Sequence, residues 1–464
     1  MGTRLVHQNQ KTEQHAQQIQ QQTPRQQKRF WQDNTRLIAL AVPMIIANVT
    51  TPLLGLVDTA VLGHMQSTAM LAGASVGALI ITQIYWVCGF LRMSSTGLSA
   101  QAKGQQNAKL ASAKVLWQTA LVAALLGLML WALQMPVLHA GIALSNPADD
   151  VQGHLTAYFN VRVWGAPAAM LNLALIGWLV GQQKTRIVLV IQVVGNLLNA
   201  GLDMLFVYGF DLSVSGVALA SVMAEYTMAI LALIVAMKLT LGITPQPSWF
   251  NKAARKILMK LNGDMLLRNL ALQGCLAFLT IQGARFGETA AATNAILMQF
   301  FVLIALGLDG IAYAVEALVG EAKGAHNARE IKRRTYQGLV WSSLFAILYA
   351  MTFYVAGESI IGALTTHTHL VSQAVAYLPL MIVLPLLAHW CFLYDGVFVG
   401  LTKAAAMRNT MIFSALGVFF PLWYVTQALG NISLWYALLG FLFARGISLA
   451  WVFARLDKRQ SLTE

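Results

Sequence analysis

The chain has 464 residues, of which 57% are hydrophobic and only 11% are charged. Soluble domains carry about 25% charged residues, so the composition excludes a soluble globular protein and predicts an all-α protein with many membrane-spanning helices. A net charge of +13 is also typical of nucleic-acid-binding proteins. Here, however, the Lys and Arg residues cluster in alternate loops between apolar segments, which is the pattern that sets membrane topology. We therefore expect no nucleic-acid partner, a multi-pass protein of the bacterial inner (plasma) membrane, and both termini in the cytoplasm.

Twelve apolar segments follow a polar, Gln-rich leader, and each is close to the ~20 residues that a spanning helix needs. The predicted spans are 37–62, 69–93, 112–135, 155–181, 187–209, 214–239, 262–283, 289–317, 337–363, 374–400, 409–428 and 432–455. We expect a disordered cytoplasmic leader at 1–35, an N-terminal lobe of six helices at 36–240, a cytoplasmic linker at 241–260, a C-terminal lobe of six helices at 261–456 and a cytoplasmic tail at 457–464.

The first span carries a carboxylate, Asp58, on a polar face with Asn48 and Thr51. A charge near the centre of a bilayer costs about 2.5–3.5 kcal/mol, so Asp58 must face the protein interior or a wet cavity. Pro43 and Pro52 cannot donate backbone hydrogen bonds, which makes this helix a candidate for bending. Asp58 is thus either a proton-accepting group of a transporter or a satisfied structural carboxylate, and the first span alone does not distinguish the two.

Polar side chains form a stripe along the fifth span, at i, i+4, i+7 and i+11: Gln192, Asn196, Asn199 and Asp203. Each unpaired polar group in hydrocarbon costs several kcal/mol, so the stripe needs partners or water. Asn172 of the fourth span and Ser221 of the sixth could join it. A pair of neighbouring carboxylates, Asp58 and Asp203, could load and release a proton near neutral pH. Alternatively, Asp58, Asn199 and Asp203 could hold Na⁺.

Two short motifs recur in the second half of the chain at a nearly constant offset. Ala102-Lys-Gly-Gln-Gln-Asn-Ala108 recurs 220 residues later as Ala322-Lys-Gly-Ala-His-Asn-Ala328, and Gly177-x-x-x-Gly181-x-x-Lys184 recurs 219 residues later as Gly396-x-x-x-Gly400-x-x-Lys403. All four copies lie in or beside predicted cytoplasmic loops, so the two lobes are predicted to be parallel repeats. Two such lobes flanking a central cavity are typical of alternating-access transporters.

A second polar set lies in the C-terminal half: Asp309, Tyr313 and Glu316 at i, i+4 and i+7 of the eighth span, and Asp395 in the tenth. These residues could contact a substrate or an ion, or they could form structural ion pairs with Arg268, Arg285 or Arg445, and the sequence leaves both readings open. The candidate lining of a substrate cavity is Asn48, Thr51, Asn196, Asp309, Tyr313 and Asp395.

Motifs of other chemistries are missing from the sequence. It has no Gly-x-x-x-x-Gly-Lys-Ser/Thr phosphate loop, no His-Glu-x-x-His, no Cys pair and no Gly-x-Ser-x-Gly elbow. We therefore expect neither an enzyme nor direct use of ATP, no firm metal site, and no cofactor apart from H⁺ or Na⁺ as a coupling ion.

Several stretches carry a family resemblance, in the order in which they occur. After Pro43 they are Pro-Leu-Leu-Gly-Leu-Val-Asp-Thr-Ala-Val-Leu-Gly-His (52–64), Phe-Leu-Arg-Met-Ser-Ser-Thr-Gly-Leu-Ser-Ala-Gln-Ala (90–102), Gly-Asn-Leu-Leu-Asn-Ala-Gly-Leu-Asp (195–203), Leu-Asp-Gly-Ile-Ala-Tyr-Ala-Val-Glu-Ala (308–317) and Tyr-Asp-Gly-Val-Phe-Val-Gly (394–400). Together they resemble the multidrug and toxic compound extrusion (MATE) family, in its DNA-damage-inducible, DinF-like branch. The resemblance covers about residues 36 to 455.

This resemblance implies twelve helices in two V-arranged lobes, a monomer in membrane lipid, and export of small organic, often cationic, compounds driven by inward H⁺ or Na⁺. It implies a cation site in the N-terminal lobe, at positions that match by residue type: Asp58, Asn172, Asn199, Asp203 and Ser221. It also implies that the first helix bends at Pro43 in response to protonation.

The sequence thus predicts a secondary antiporter that exports drug-like compounds in exchange for H⁺ or, alternatively, Na⁺. A lipid-linked oligosaccharide flippase is the related alternative. Such a flippase would be expected to line its cavity with several cationic residues for a pyrophosphate, whereas the mid-membrane charges here are mostly acidic. A membrane-embedded transferase would need a catalytic His or Asp motif at the membrane surface, and none stands out.

Overall fold

The residues that the structure describes form twelve helices long and apolar enough to span a membrane, which confirms the predicted number. The computed structural model describes residues 34–50, 52–55, 57, 60–63 and 67–463, and these residues contain no strand. In chain order the helices are α1 (Asn34–Gly63), α2 (Thr68–Gly104), α3 (Ala108–Ala132), α4 (Asp149–Gly181), α5 (Thr185–Gly209), α6 (Ser213–Leu239), α7 (Lys252–Arg285), α8 (Glu288–Gly324), α9 (Ala328–Leu364), α10 (Leu378–Gly400), α11 (Ala404–Leu429) and α12 (Ile432–Lys458).

Several helices extend beyond the apolar segments that predicted them. The α7 helix begins at Lys252, so the end of the predicted linker 241–260 is helical, and α9 begins at Ala328. Both starts are capped, because the side-chain oxygens of Asn251 and Asn327 accept hydrogen bonds from backbone N–H groups of the first turn. Hydropathy alone does not register such polar, capped turns outside the hydrocarbon.

The two faces of the helical layer differ in their loops. One face carries the loops 105–107, 182–184, 240–251, 325–327 and 401–403. Lys and Arg residues lie in these loops or in the helix ends beside them, and we call this face the basic face. The opposite face carries two short helices, Gln134–Ser145 between α3 and α4 and Thr368–Ala376 between α9 and α10. Successive spans therefore alternate in direction, with the even-numbered helices of each lobe ending at the basic face.

The repeated Gly-x-x-x-Gly motif brings two helices into close contact in each lobe. Gly177 and Gly181 of α4 face the backbone of α2, and Gly396 and Gly400 of α10 face the backbone of α8. A Cβ added at any of the four would lie 2.4–2.6 Å from a carbonyl oxygen of the facing helix. Only glycine allows this approach, because any Cβ would clash with the facing carbonyl oxygen. Small residues of this kind let helix backbones pack tightly in a membrane. The repeat is therefore a packing requirement that both lobes share.

Each lobe has its own apolar core, and a further cluster joins the two lobes. Trp178 lies in the core of the N-terminal lobe, and Trp435 lies in that of the C-terminal lobe. The joining cluster includes Leu37 of α1, Phe90 of α2 and Val397 of α10, all buried. The lobes thus pack directly against each other through residues of α1, α2 and α10.

The α1 helix makes polar contacts with both lobes. Asn48 Nδ2 donates to the carbonyl oxygen of Leu306 in α8 at 3.1 Å. Two residues further along α1, Thr50 Oγ1 accepts a hydrogen bond from Asn196 Nδ2 of α5, also at 3.1 Å. Beyond it, Val61 is buried in a cluster of the N-terminal lobe. The first helix therefore bridges the lobes rather than belonging to one of them.

Candidate ion-coupling site

The polar stripe of α5 runs into the interior of the N-terminal lobe. Asn199 is 1% exposed and Asp203 is 0% exposed, so a carboxylate and an amide are fully buried one turn apart. The helix changes to a π-helical turn at Leu205–Gly209, directly after this pair. Such turns are frequent at functional sites. The burial of two polar groups here needs partners from neighbouring helices.

Side chains of α4 and α6 meet this stripe, as the sequence predicted they could. Asn172 of α4 donates from Nδ2 to the backbone oxygen of Glu225 in α6 at 2.8 Å. Asn199 Nδ2 lies 3.4 Å from the hydroxyl oxygen of Ser221, which is one turn before Glu225 on α6. Asn172, Asn199 and Ser221 therefore lie on the facing surfaces of three adjacent helices.

The hydrogen bonds of the two amides leave their oxygens turned toward the interior. Because the NH₂ group of Asn172 must face the Glu225 carbonyl, its Oδ1 points away from it. The buried Oδ1 atoms of Asn172 and Asn199 accept no hydrogen bond from any residue that the structure describes. Leaving a buried acceptor without a hydrogen bond costs about 1–3 kcal/mol. These oxygens therefore favour the binding of a donor or a cation between the helices. Oxygen ligands of this kind suit a proton carried by a carboxylate, or Na⁺.

Two predicted site residues, Asp58 and Thr51, lie outside the described residues. Their described neighbours on α1 place this part of the helix within the N-terminal lobe. Val57 and Val61 pack in a cluster that also holds Tyr158 and Val214. The helix that carries position 58 thus packs against α4 and α6, which also carry Asn172 and Ser221.

Pro43, the predicted hinge, is buried in a helical stretch of α1 that is continuous from residue 34 to residue 50. Its ring nitrogen has no hydrogen to donate to the carbonyl of Ala39, so the helix is weakest at this turn. Pro43 lies on the same side of Asn48 as the basic-face end of α1. A bend there would separate the part of α1 that reaches the basic face from the part that packs in the N-terminal lobe.

A buried ion pair beside this site was not predicted from the sequence. Arg162 of α4 forms a bidentate pair with Glu225 of α6, and the two side chains are only 12% and 13% exposed. The guanidinium carbon also lies 5.4 Å from the ring centroid of Tyr85. The available signal was charge matching, since the predicted spans of this lobe contain a single Glu, Glu225, and two Arg residues, Arg92 and Arg162. The pair fixes α6 at the turn whose carbonyl binds Asn172.

The polar set of the C-terminal lobe forms a separate cluster. Asp395 of α10 pairs with both Arg268 of α7 and Arg445 of α12. This is the structural pairing that the sequence left open as one alternative for Asp395. Two guanidinium groups compensate the charge of this carboxylate strongly. The charge of Asp395 is therefore largely neutralised within the lobe.

The remaining members of this cluster lie where the two lobes meet. The guanidinium carbon of Arg92, from α2, lies 4.1 Å from the ring centroid of Tyr313 in α8. Arg92 Nη1 is 3.9 Å from Glu316 Oε2, which makes an ion pair across the lobes. Asp309, one turn before Tyr313, is half-buried and makes no ion pair with the described residues. The predicted cavity residues are therefore divided among α1, α5, α8 and α10 rather than gathered in one lobe.

No group of three His, Cys, Asp or Glu side chains among the described residues is arranged to hold a metal ion. This arrangement nevertheless offers the side-chain oxygens of Asn172, Asn199, Asp203 and Ser221. They are hard donors, which suit Na⁺ better than they suit transition metals. The arrangement can therefore bind a proton or an alkali cation.

Comparison with known proteins gives consistent matches along the chain. A family model described as MatE matches residues 43–205 and 265–425. DNA damage-inducible protein F of Escherichia coli (strain K12) is 40% identical over 422 residues, which cover 90% of this chain and 91% of that protein. A probable multidrug resistance protein NorM of Thermotoga maritima is 26% identical over 362 residues, 75% of each chain.

Solved structures show the same architecture. The outward-facing conformation of a multidrug resistance MATE family transporter superposes with a TM-score of 0.81 at 18% identity, covering 92% of this chain and 96% of that one. A MOP superfamily transporter from Pyrococcus furiosus also gives 0.81 at 17% identity, over 93% and 97% of the two chains. At this level of identity the likeness shows the fold. Taken with the family match and the Escherichia coli relative, it establishes that the chain is a multi-pass membrane transporter of the MatE family.

Proposed function

We propose that this transporter is a secondary antiporter that exports small organic, often cationic, compounds in exchange for H⁺. The supporting observation is the buried, oxygen-rich site of the N-terminal lobe. It combines the Asp203 carboxylate with amide oxygens of Asn172 and Asn199 that accept no hydrogen bond from the described residues. Asp58 supplies a second carboxylate on the first helix, and the proton is carried between these groups.

Coupling needs only that proton and substrate favour different states of the transporter. With the site open to the face opposite the basic loops, Asp58 takes up a proton and the first helix rearranges at Pro43. With the site open to the basic face, which we assign to the cytoplasm from its Lys and Arg content, the proton leaves and substrate binds. Na⁺ bound by Asp58, Asn199 and Asp203 would drive the same cycle.

The relatives support the substrate class. Two of the matched proteins carry the name multidrug resistance protein or MATE family transporter. Within this chain, Asp309 is half-buried and makes no ion pair with the described residues, and we assign it to the binding of an organic cation. Asn48, Thr51, Asn196 and Tyr313 complete the proposed cavity lining. Asp395, the remaining predicted lining residue, is held by Arg268 and Arg445 and is proposed to support the cavity rather than to bind the cation. A single chain contains both lobes, and we propose a monomer in the lipid of the bacterial inner membrane.

The pairing of the intramembrane arginines weighs against the flippase alternative. Arg162 pairs with Glu225, Arg92 lies beside Glu316, and Arg268 and Arg445 share Asp395. Arg408 of α11 pairs with Asp264 of α7. A pyrophosphate headgroup would require cationic side chains without such carboxylate partners.

The test uses purified protein in liposomes, an imposed pH gradient and a fluorescent organic cation. We expect uptake that follows the pH gradient in the wild type and in Asp211→Asn, and none in Asp58→Asn or Asp203→Asn. Asp211 is the matched control because it is exposed, lies just after α5 and has a left-handed backbone (φ 54°) that Asn also accepts.

Each other outcome changes the assignment. Transport that follows only a Na⁺ gradient would keep the site and replace the ion. Full transport by Asp203→Asn would refute the coupling site. A complete lack of gradient-driven cation movement in the wild type, with lipid translocation instead, would establish the flippase.

A further inference from the structure

The two copies of the repeated Ala-Lys-Gly motif face each other at the basic face, where the ends of α2 and α8 meet. A Cβ added to Gly104 would lie 2.0 Å from the Glu321 carbonyl oxygen, and one added to Gly324 would lie 1.9 Å from that of Gln101. The contact is reciprocal, because each glycine touches the residue that is repeat-related to the one its partner touches. Such reciprocity is the mark of a two-fold interface. The lobes therefore meet backbone to backbone at this point.

Side-chain hydrogen bonds across the lobes follow the same two-fold relation. Gln101 Nε2 donates to the carbonyl oxygen of Gly400 at 2.8 Å and to Thr402 Oγ1 at 3.0 Å. At the repeat-related position, Glu321 Oε2 accepts a hydrogen bond from Gln183 Nε2 at 2.9 Å. Gln183 and Thr402 are themselves repeat-related, and both have left-handed backbones. The same inter-lobe contact is thus built twice.

Charge breaks the symmetry of this contact at residue 321. The N-terminal copy has the neutral Gln101, whereas the C-terminal copy has the carboxylate of Glu321. Arg36 of α1 approaches that carboxylate to 2.6 Å, with the two side chains 43% and 26% exposed, and Lys103 Nζ lies 4.0 Å away. The residue 220 positions after Arg36 is Lys256, which is exposed. An ion pair has been added to a contact that the scaffold already makes without charge.

Arg36 joins both lobes at once. Its Nη2 donates to Glu321 of the C-terminal lobe and, at 2.8 Å, to Gln183 Oε1 of the N-terminal lobe. The start of α1 is also held by Trp341 of α9, whose Nε1 donates to Asn34 Oδ1 at 3.0 Å. Because α1 continues into the N-terminal lobe, its basic-face end is tied to the closure of the two lobes.

We propose that Arg36, Gln183 and Glu321 form a basic-face latch that holds the lobes closed on this side and ties the first helix to that closure. Opening toward the basic face requires Glu321 to leave Arg36 and Gln183 together. Neutralising Glu321 to Gln would give the C-terminal copy the residue that the N-terminal copy already has, leaving the symmetric contact without its ion pair. The latch deepens the proposed alternating access, and its test needs neither a coupling ion nor a substrate.

The test measures the distance between the lobes at the basic face by pulsed electron paramagnetic resonance. Nitroxide labels are attached through Lys109→Cys and Arg329→Cys, which are exposed and repeat-related. The three native cysteines are buried, so protein without the new cysteines should take up no label. We expect Glu321→Gln to raise the ratio of open to closed molecules about fivefold, as for loss of one partly exposed, charge-assisted contact.

Glu330→Gln is the matched control, because Glu330 lies at the same face but pairs with Arg333 and Arg334 of its own helix. We expect it to leave the distance distribution unchanged. Arg36→Gln should open the basic face as Glu321→Gln does, and the charge exchange Arg36→Glu with Glu321→Arg should close it again. Arg36→Gln also supplies the measurement if Glu321→Gln fails to fold.

Two results would overturn the latch. A wild-type distribution in both Glu321→Gln and Arg36→Gln would mean that the glycine contact alone closes this face. An equal opening in Glu330→Gln would mean that any loss of negative charge there has the effect. Neither result bears on which ion drives transport, so the latch and the proposed coupling site can fail separately.

Discussion

The buried ion pair of Arg162 and Glu225 allows the stability of the N-terminal lobe to be predicted in magnitude. Glu225→Gln would leave the guanidinium of Arg162 without its carboxylate partner. The guanidinium would stay buried, because the side chains of Arg162 and Glu225 are only 12% and 13% exposed in the wild type. Removing one partner of a buried pair costs about 3–5 kcal/mol, because the remaining charge is uncompensated. The Tyr85 ring at 5.4 Å recovers only a small part of this.

The measurement is the free energy of unfolding of purified protein in mixed micelles, followed by tryptophan fluorescence. We expect Glu225→Gln to lower it by about 3–5 kcal/mol. The double variant Arg162→Met with Glu225→Leu removes both charges at similar volume, so we expect it to be more stable than the single variant. Lys332→Gln is the control, since its pair with Asp457 is exposed and is expected to contribute at most about 1 kcal/mol.

The reasoning would be refuted if the double variant were no more stable than Glu225→Gln. That result would mean that the loss comes from packing around α6 rather than from an uncompensated charge. A loss no larger than that of Lys332→Gln would likewise show that the pair is effectively solvated.

Two further predictions concern packing and the candidate site. Gly324→Ala places a Cβ 1.9 Å from the Gln101 carbonyl oxygen, whereas ordinary contact begins at 3.4 Å, so we expect the labelled lobes to separate at the basic face. The control Gly274→Ala, whose Cβ would have nothing within 4 Å, should leave the distance between the labels unchanged. A wild-type distance in Gly324→Ala would contradict the backbone contact. Asn172→Leu removes an inward oxygen and the donor to the Glu225 carbonyl. We expect at least about a tenfold loss of pH-driven transport and a free energy of unfolding lower by about 1–3 kcal/mol. Transport at the wild-type rate would show that Asn172 has no part in coupling.

The number of helices and the repeat could be predicted from the sequence because local constraints determine them. A bilayer requires about 20 apolar residues per span, and the described part of the chain has the twelve spans that this count predicts. The spacing of Gly177 and Gly181, and of Gly396 and Gly400, is equally local, since each pair must face a neighbouring backbone. Within the proposed coupling site, helical periodicity sufficed to group Asn199 with Asp203 on one face of α5.

Pairings between distant helices could not be predicted in the same way. Periodicity indicates which face of a helix is polar but not which helix lies opposite, so Glu225 was not recognised as the partner of Arg162. For Asp395, the choice between substrate and Arg268 depended on the packing of α7 against α10. Arg36 and Glu321 lie outside the apolar segments that the sequence marks as spans, and their contact arises only when two lobes close. Tertiary packing decides all three.

The most direct test of the coupling site measures protons released when substrate binds. Purified protein in weakly buffered detergent solution is mixed with an organic cation, and the pH change is followed with an indicator dye. We expect proton release by the wild type and by Asp211→Asn, and none by Asp203→Asn or Asp58→Asn. Release equal to that of the wild type by both Asp203→Asn and Asp58→Asn would contradict this expectation, because the proton would then come from a group outside the N-terminal lobe site.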